Sequence, residues 1–82
     1  MNFKDKIALI TGGTSGIGKK IVEELLKEGS IVIINYGHND NKAQELDKEL
    51  DSYKNNIYLI KADISNSEEL KSMFEEVKFR YY

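Results

Sequence analysis

The stretch TGGTSGIGKK, Thr11 to Lys20, decides how the rest of the chain is read. Counted from Gly13 it is G-x-x-x-x-G-K, which lacks only the final Ser or Thr of a triphosphate-binding P-loop. Counted from Thr11 it is T-G-x-x-x-G-x-G, a glycine turn suited to a dinucleotide. An apolar run, KIALIT, precedes the stretch and a helical pattern follows it, so the turn lies where a strand feeds a helix. Helix N–H groups point outward at such a place, and the helix dipole favours an anion. Glycine suits the turn because a Cβ would keep a phosphate from approaching the backbone.

Working outward, the order of elements repeats. KIALIT, SIVIINY and NIYLIKA are short apolar runs rich in isoleucine and valine, the pattern of parallel strands covered on both faces. Each precedes a helical pattern. In the first, Ile17, Ile21, Val22, Leu25 and Leu26 share a face, and Gly29 ends the helix. Asn41 with Gln44 predicts a capping box for the second, with Ala43, Leu46, Leu50 and Tyr53 as its stripe. Ser65 with Glu68 predicts the same for the third, ahead of Leu70, Met73, Phe74 and Val77. Alternating strands and helices with short connections imply an α/β domain around a parallel sheet.

Composition narrows the partners. Eighty-two residues make one small domain, burying only about 60–65% of the surface of the unfolded chain. Twelve Lys and Arg against fourteen Asp and Glu leave a net charge of −2, without the basic footprint that nucleic acid or an anionic membrane requires. There is no cysteine, so disulfides and thiolate metal sites are excluded, and no metal site is expected. The longest apolar runs are too short for a signal peptide or a membrane span, which reads as a cytoplasmic protein.

The P-loop reading has Lys19 in the lysine position and Asp63 after an apolar strand. It fails at Lys20, which stands where a Ser or Thr hydroxyl should hold the metal. It also leaves Gly16 without a purpose. The spacing of Gly12, Gly16 and Gly18 is not G-x-G-x-x-G either. TGGTSGIG, INY at the end of the second run, and KADIS at the end of the third together resemble the short-chain dehydrogenase/reductase family. Within that family the β-ketoacyl carrier-protein reductases look most similar.

The resemblance implies a three-layer, Rossmann-like fold: a partial doubly wound parallel sheet of three βα units in strand order 3-2-1. It implies that residues 1–82 are the N-terminal part of one NAD(P)-binding domain, cut before a fourth strand. Gly12, Gly16 and Gly18 would shape the cofactor turn, with Thr14 and Ser15 beside it, and Ile17 would offer its backbone near the pyrophosphate. Asp63 would accept a hydrogen bond from the adenine amino group, and Ile64 would present an amide. Tyr36 occupies the place where an NAD enzyme carries its ribose-binding acid, so NADP is favoured over NAD. Ser15, His38 and Asn39 are the expected donors to a 2′-phosphate, with Lys42 in support.

The family's chemistry uses a serine and a tyrosine with a lysine four residues on. No tyrosine here has that lysine, so this length of chain is expected to bind dinucleotide without turnover. In the complete protein the implied activity is NADP(H)-dependent carbonyl reduction or alcohol oxidation, with 3-oxoacyl-carrier-protein reduction as one form. The first strand, central in a full sheet, would become an edge, and self-association is expected through it. Two alternatives stay open at this level: a non-catalytic nucleotide-binding or interaction module, and a P-loop nucleotide hydrolase.

Overall fold

The computed structural model describes residues 3–14 and 16–81. Three parallel strands, β1 (Ile7–Thr11), β2 (Ile31–Tyr36) and β3 (Ile57–Lys61), lie in the order β1-β2-β3. Helices α1 (Gly16–Lys27), α2 (Asp40–Glu49) and α3 (Ser67–Tyr81) alternate with them. A 3₁₀ segment, Asp51–Asn56, leads from α2 into β3. This is the three-layer Rossmann-like α/β arrangement expected, with the 3-2-1 strand order.

β2 is the centre because its side chains are apolar in both directions. Val32, Ile33 and Ile34 are fully buried. Strand side chains alternate between faces, so Val32 and Ile34 meet Val22 and Leu26 of α1 and Leu46 of α2. Ile33 points the other way, to Met73 and Val77 of α3. Fully burying one such isoleucine contributes about 1.5–3 kcal/mol. α3 is pinned at its surface by the Tyr58 hydroxyl, which donates to Glu76, while the Arg80 guanidinium stacks 4.0 Å above the Tyr58 ring. Among the described residues β1 pairs only with β2, and Ile7 to Ile10 are half-buried where their β2 partners are largely buried.

Several local expectations are corrected. Ile17 is 80% exposed and Ile21 43%, so α1 buries a narrower stripe than its spacing implied. Phe74 is also exposed, at 47%, since the buried cluster takes Met73 and Val77 from α3. The cap of α2 is Asn39, whose side-chain oxygen accepts from the Lys42 amide, and not Asn41. The cap of α3 is Asn66, which accepts from the Glu68 and Glu69 amides, and not Ser65. Both stretches offer two polar side chains close together, and the strand ends decide which one meets the helix amides. Tyr53 lies in the 3₁₀ segment beyond α2, although it still packs against the core. Gly29 ends α1 as expected: at φ +88° its amide donates to Leu26, and the Ser30 amide donates to Leu25.

Candidate dinucleotide site

The carboxyl ends of the three strands open on one side of the sheet, and the turns that leave them build the site. Gly12 and Gly16 have φ of +66° and +60°, in the left-handed region that favours glycine. A Cβ on either would meet nothing within 4 Å, so both face open space and leave their backbone accessible. Gly18 acts differently. A Cβ there would lie 2.3 Å from the Gly12 carbonyl oxygen, so its bareness lets α1 close onto the turn. Gly13 is a fourth requirement that motif spacing did not single out. Its missing Cβ would stand 2.8 Å from Ile34 Cγ2, where the turn is pressed onto the core. The signal available was only its adjacency to Gly12.

Electrostatics at the head of α1 suit an anion. Its first turn contains no acid, whereas the first turns of α2 and α3 carry Asp40 and Glu68 with Glu69. The first N–H groups of a helix lack intrahelical acceptors, and the dipole makes that end positive. Gly16, Ile17 and Gly18 form this end, and the exposure of Ile17 leaves its side chain outside the packing. Thr14 and Gly16 line a cleft between α1 and α2 together with Lys19, Lys42, Glu45 and Glu49. Lys19 pairs with Glu49 at 2.7 Å. That hydrogen bond raises the Lys19 pKa and holds the ammonium against α2. The expectation for Ser15 falls outside the described residues.

At the end of β2, Tyr36 is half-buried, and beyond it His38 and Asn39 are exposed. The side-chain oxygen of Asn39 is occupied in capping α2, which leaves its amino group as a donor. Asp40, the first acid after β2, is held by Lys61 at 3.1 Å. Beyond β3, Asp63 and Ile64 lead toward α3. The Asp63 Oδ1 accepts from the Ser65 hydroxyl at 2.6 Å and the Ser65 amide at 2.9 Å, an Asx turn that leaves Oδ2 available. The Ile64 amide has no acceptor among the described residues, although its side chain is 45% exposed.

The Ser65 hydroxyl, its amide, and more weakly the nearby His38 hold the Asp63 carboxyl below the usual carboxylate range, against a small desolvation effect. A depressed carboxylate stabilises the folded chain fully above its unfolded pKa of about 3.9, and that contribution is lost as pH falls through the lower folded value. Acidification is therefore expected to release the Asx turn only after carboxylates of ordinary pKa have been protonated. Hydrogen-exchange protection at the Ser65 amide, relative to its intrinsic rate, should fall below about pH 4, and Asp63→Asn should remove that pH dependence. Unchanged protection down to the global acid transition would contradict it.

Asn35 joins the site although the resemblance carried by INY assigns it no role. Asn35, 3% exposed, accepts the Gly12 amide at 3.0 Å and the Gly13 amide at 3.3 Å on its main-chain carbonyl. Its signal in sequence was its place in INY, an amide side chain at the end of an apolar strand.

Two bare glycines and a helix start free of acid suit a phosphate group, with the Asp63 carboxylate on the loop after β3. Among the described residues no group of three or more His, Asp or Glu is placed to hold a metal, and no helix is long and apolar enough to cross a membrane. A family model described as short chain dehydrogenase matches residues 6–82. The chain is 36% identical over 77 residues to the short-chain dehydrogenase/reductase homolog YusS of Bacillus subtilis, covering 94% of this chain and 71% of that one. It is 45% identical over 71 residues to the hydroxynaphthalene reductase-like protein Arp2 of Metarhizium acridum, covering 87% of this chain but 27% of that one. A Bacillus thuringiensis protein provisionally assigned as a 3-oxoacyl-reductase superposes with a TM-score of 0.88 at 27% identity, over 94% of this chain and 32% of that one. A short chain dehydrogenase from Bacillus anthracis does so at 0.86 and 30%, over 96% and 31%.

Proposed function

The chain belongs to the short-chain dehydrogenase family, and from that premise we propose that its glycine turn binds the pyrophosphate of NADP(H) in an oxidoreductase. The observation that carries the reading is the acid-free start of α1 behind two glycines whose Cβ positions are open. In this reading the amides of Gly16, Ile17 and Gly18 face the pyrophosphate, with Thr14 beside them. Asp63 accepts from the adenine amino group through its available oxygen, and the unpaired Ile64 amide donates to the base. When bound, the nicotinamide supplies hydride transfer between cofactor and a carbonyl or alcohol carbon. The chain spans only 27% of the Arp2 relative and 32% of the 3-oxoacyl-reductase-like structure, and its 82 residues contain no Tyr-x-x-x-Lys. These residues are accordingly assigned the cofactor role, as the N-terminal part of one dinucleotide-binding domain, with no turnover of their own.

The preference for NADP over NAD rests on charge. The end of β2 carries Tyr36 in place of a carboxylate, and Asp40 is engaged by Lys61. A 2′-phosphate therefore meets no free acid there, while His38, Asn39 and Lys42 offer donors. Titration of the chain with NADPH, NADH and ATP–Mg²⁺ tests the reading. NADPH is expected to bind tightest, and Tyr36→Asp is expected to turn the preference toward NADH by about tenfold or more. A magnesium-dependent ATP signal would overturn it. Self-association through the outer edge of β1 belongs to the same proposal, and the carbonyl or alcohol substrate is assigned to the complete protein.

A further inference from the structure

The side chain of Asn35 is the polar exception in a strand otherwise buried by hydrocarbon. An amide in such a place costs free energy unless its hydrogens find acceptors. Here Nδ2 donates to the carbonyls of Ile60 at 3.3 Å and Ala62 at 3.2 Å. Asn35 stands opposite Ile60 in the parallel ladder, so its two N–H groups reach along the last turn of β3 toward the loop. Ala62 is the residue directly before Asp63. The peptide joining them is gripped at both ends: its carbonyl by Asn35 and its N–H by Glu69 Oε1 at 3.1 Å. The plane of that peptide sets the direction in which Asp63 leaves the sheet. On the opposite side, the main-chain carbonyl of Asn35 holds Gly12 and Gly13.

The geometry points to Asn35 as a positioning residue for adenine recognition: it fixes Asp63 relative to the glycine turn without touching the ligand itself. No usual strand residue can replace it. Valine and isoleucine have no donor, threonine has one, and an ionised aspartate would face two carbonyls with none. The division of labour is specific. The side chain governs the β3 loop, whereas the turn hangs on the backbone carbonyl and survives a change of side chain.

The inference rests on the dinucleotide reading above, and the test separates the two. Adenosine monophosphate and inorganic pyrophosphate are titrated by NMR into the unaltered chain, Asn35→Ala, Asp63→Ala and the double variant. Loss of the amide is expected to weaken adenosine monophosphate about 5–10-fold, the worth of one to two hydrogen bonds. Pyrophosphate affinity is expected to change less than about twofold, since backbone contacts to Gly12 and Gly13 persist. The double variant is expected to bind adenosine monophosphate no more weakly than Asp63→Ala, because Asn35 acts through Asp63. Equal losses for both probes, additive losses in the double variant, or no loss with adenosine monophosphate would each overturn the positioning role while leaving the dinucleotide site intact. Failure of the unaltered chain to bind adenosine monophosphate overturns the site and the inference together. Where Asn35→Ala does not fold, Asn35→Ser keeps one donor, and the same split between the two probes decides.

Discussion

Gly18→Ala is expected to destabilise the chain by about 3 kcal/mol, the upper range for forcing atoms into a packed place. The new methyl would lie 2.3 Å from the Gly12 carbonyl oxygen and 3.1 Å from the Gly13 Cα. Both neighbours are backbone, so no side chain can swing aside. Either α1 lifts from the turn or the turn opens, and both break the bonds from Gly12 and Gly13 to Asn35. A domain of this length has roughly 4–12 kcal/mol to lose, so the variant sits near the edge of folding. Gly16→Ala is the control. Its methyl meets nothing within 4 Å, and only the left-handed φ of +60° is penalised, at about 1–2 kcal/mol. Denaturant midpoints of the two variants measure the difference. Equal midpoints would mean that Gly18 serves a ligand alone and not the closure of helix on turn. Where both fold, weakened dinucleotide binding is expected from each.

The second large effect concerns association. Among the described residues β1 has a strand partner on one side only, and its outer N–H and C=O groups form an open edge of the kind that recruits another strand. Beside it, Leu9, Phe74, Val77 and Phe79 line an apolar hollow, with Phe79 92% exposed. Pairing of two such edges would cover both the backbone and the hollow. Leu9→Lys is expected to abolish that pairing, since an inward-facing charge on an edge strand must be desolvated when a second copy arrives. Leu9 is only half-buried in one chain, so the folded monomer should tolerate the lysine, whose stem can lie along the apolar surface. Sedimentation should show the unaltered chain shifting from monomer to dimer as concentration rises, by at least about a hundredfold more readily than the variant. Identical sedimentation of the two would remove the β1 edge as the interface.

Much of this was legible in the order of residues. The three apolar runs became the three strands, and the helices between them followed from spacing. Gly12, Gly16 and Gly18 were visible because a strand-to-helix turn with bare positions has few uses. Local polar choices were harder. Asn39 and Asn41 both suit a helix start, as do Ser65 and Asn66, and nothing within a few residues separates them. Ile17 and Phe74 read as core because periodicity reports which residues share a face, while the extent of the covering layer decides how much of that face is buried.

Sequence alone determined the α/β alternation, the anion-suited turn and the lack of an acid at the end of β2, because each depends on residues close together along the chain. Tertiary structure decided the remainder. Gly13 matters because Ile34, from the neighbouring strand, presses on it. Asn35 matters because Ala62, 27 residues away, offers a carbonyl to its amide. Hydrogen bonds and close contacts across strands exist only after the sheet has formed, so no reading of neighbours along the chain can reach them.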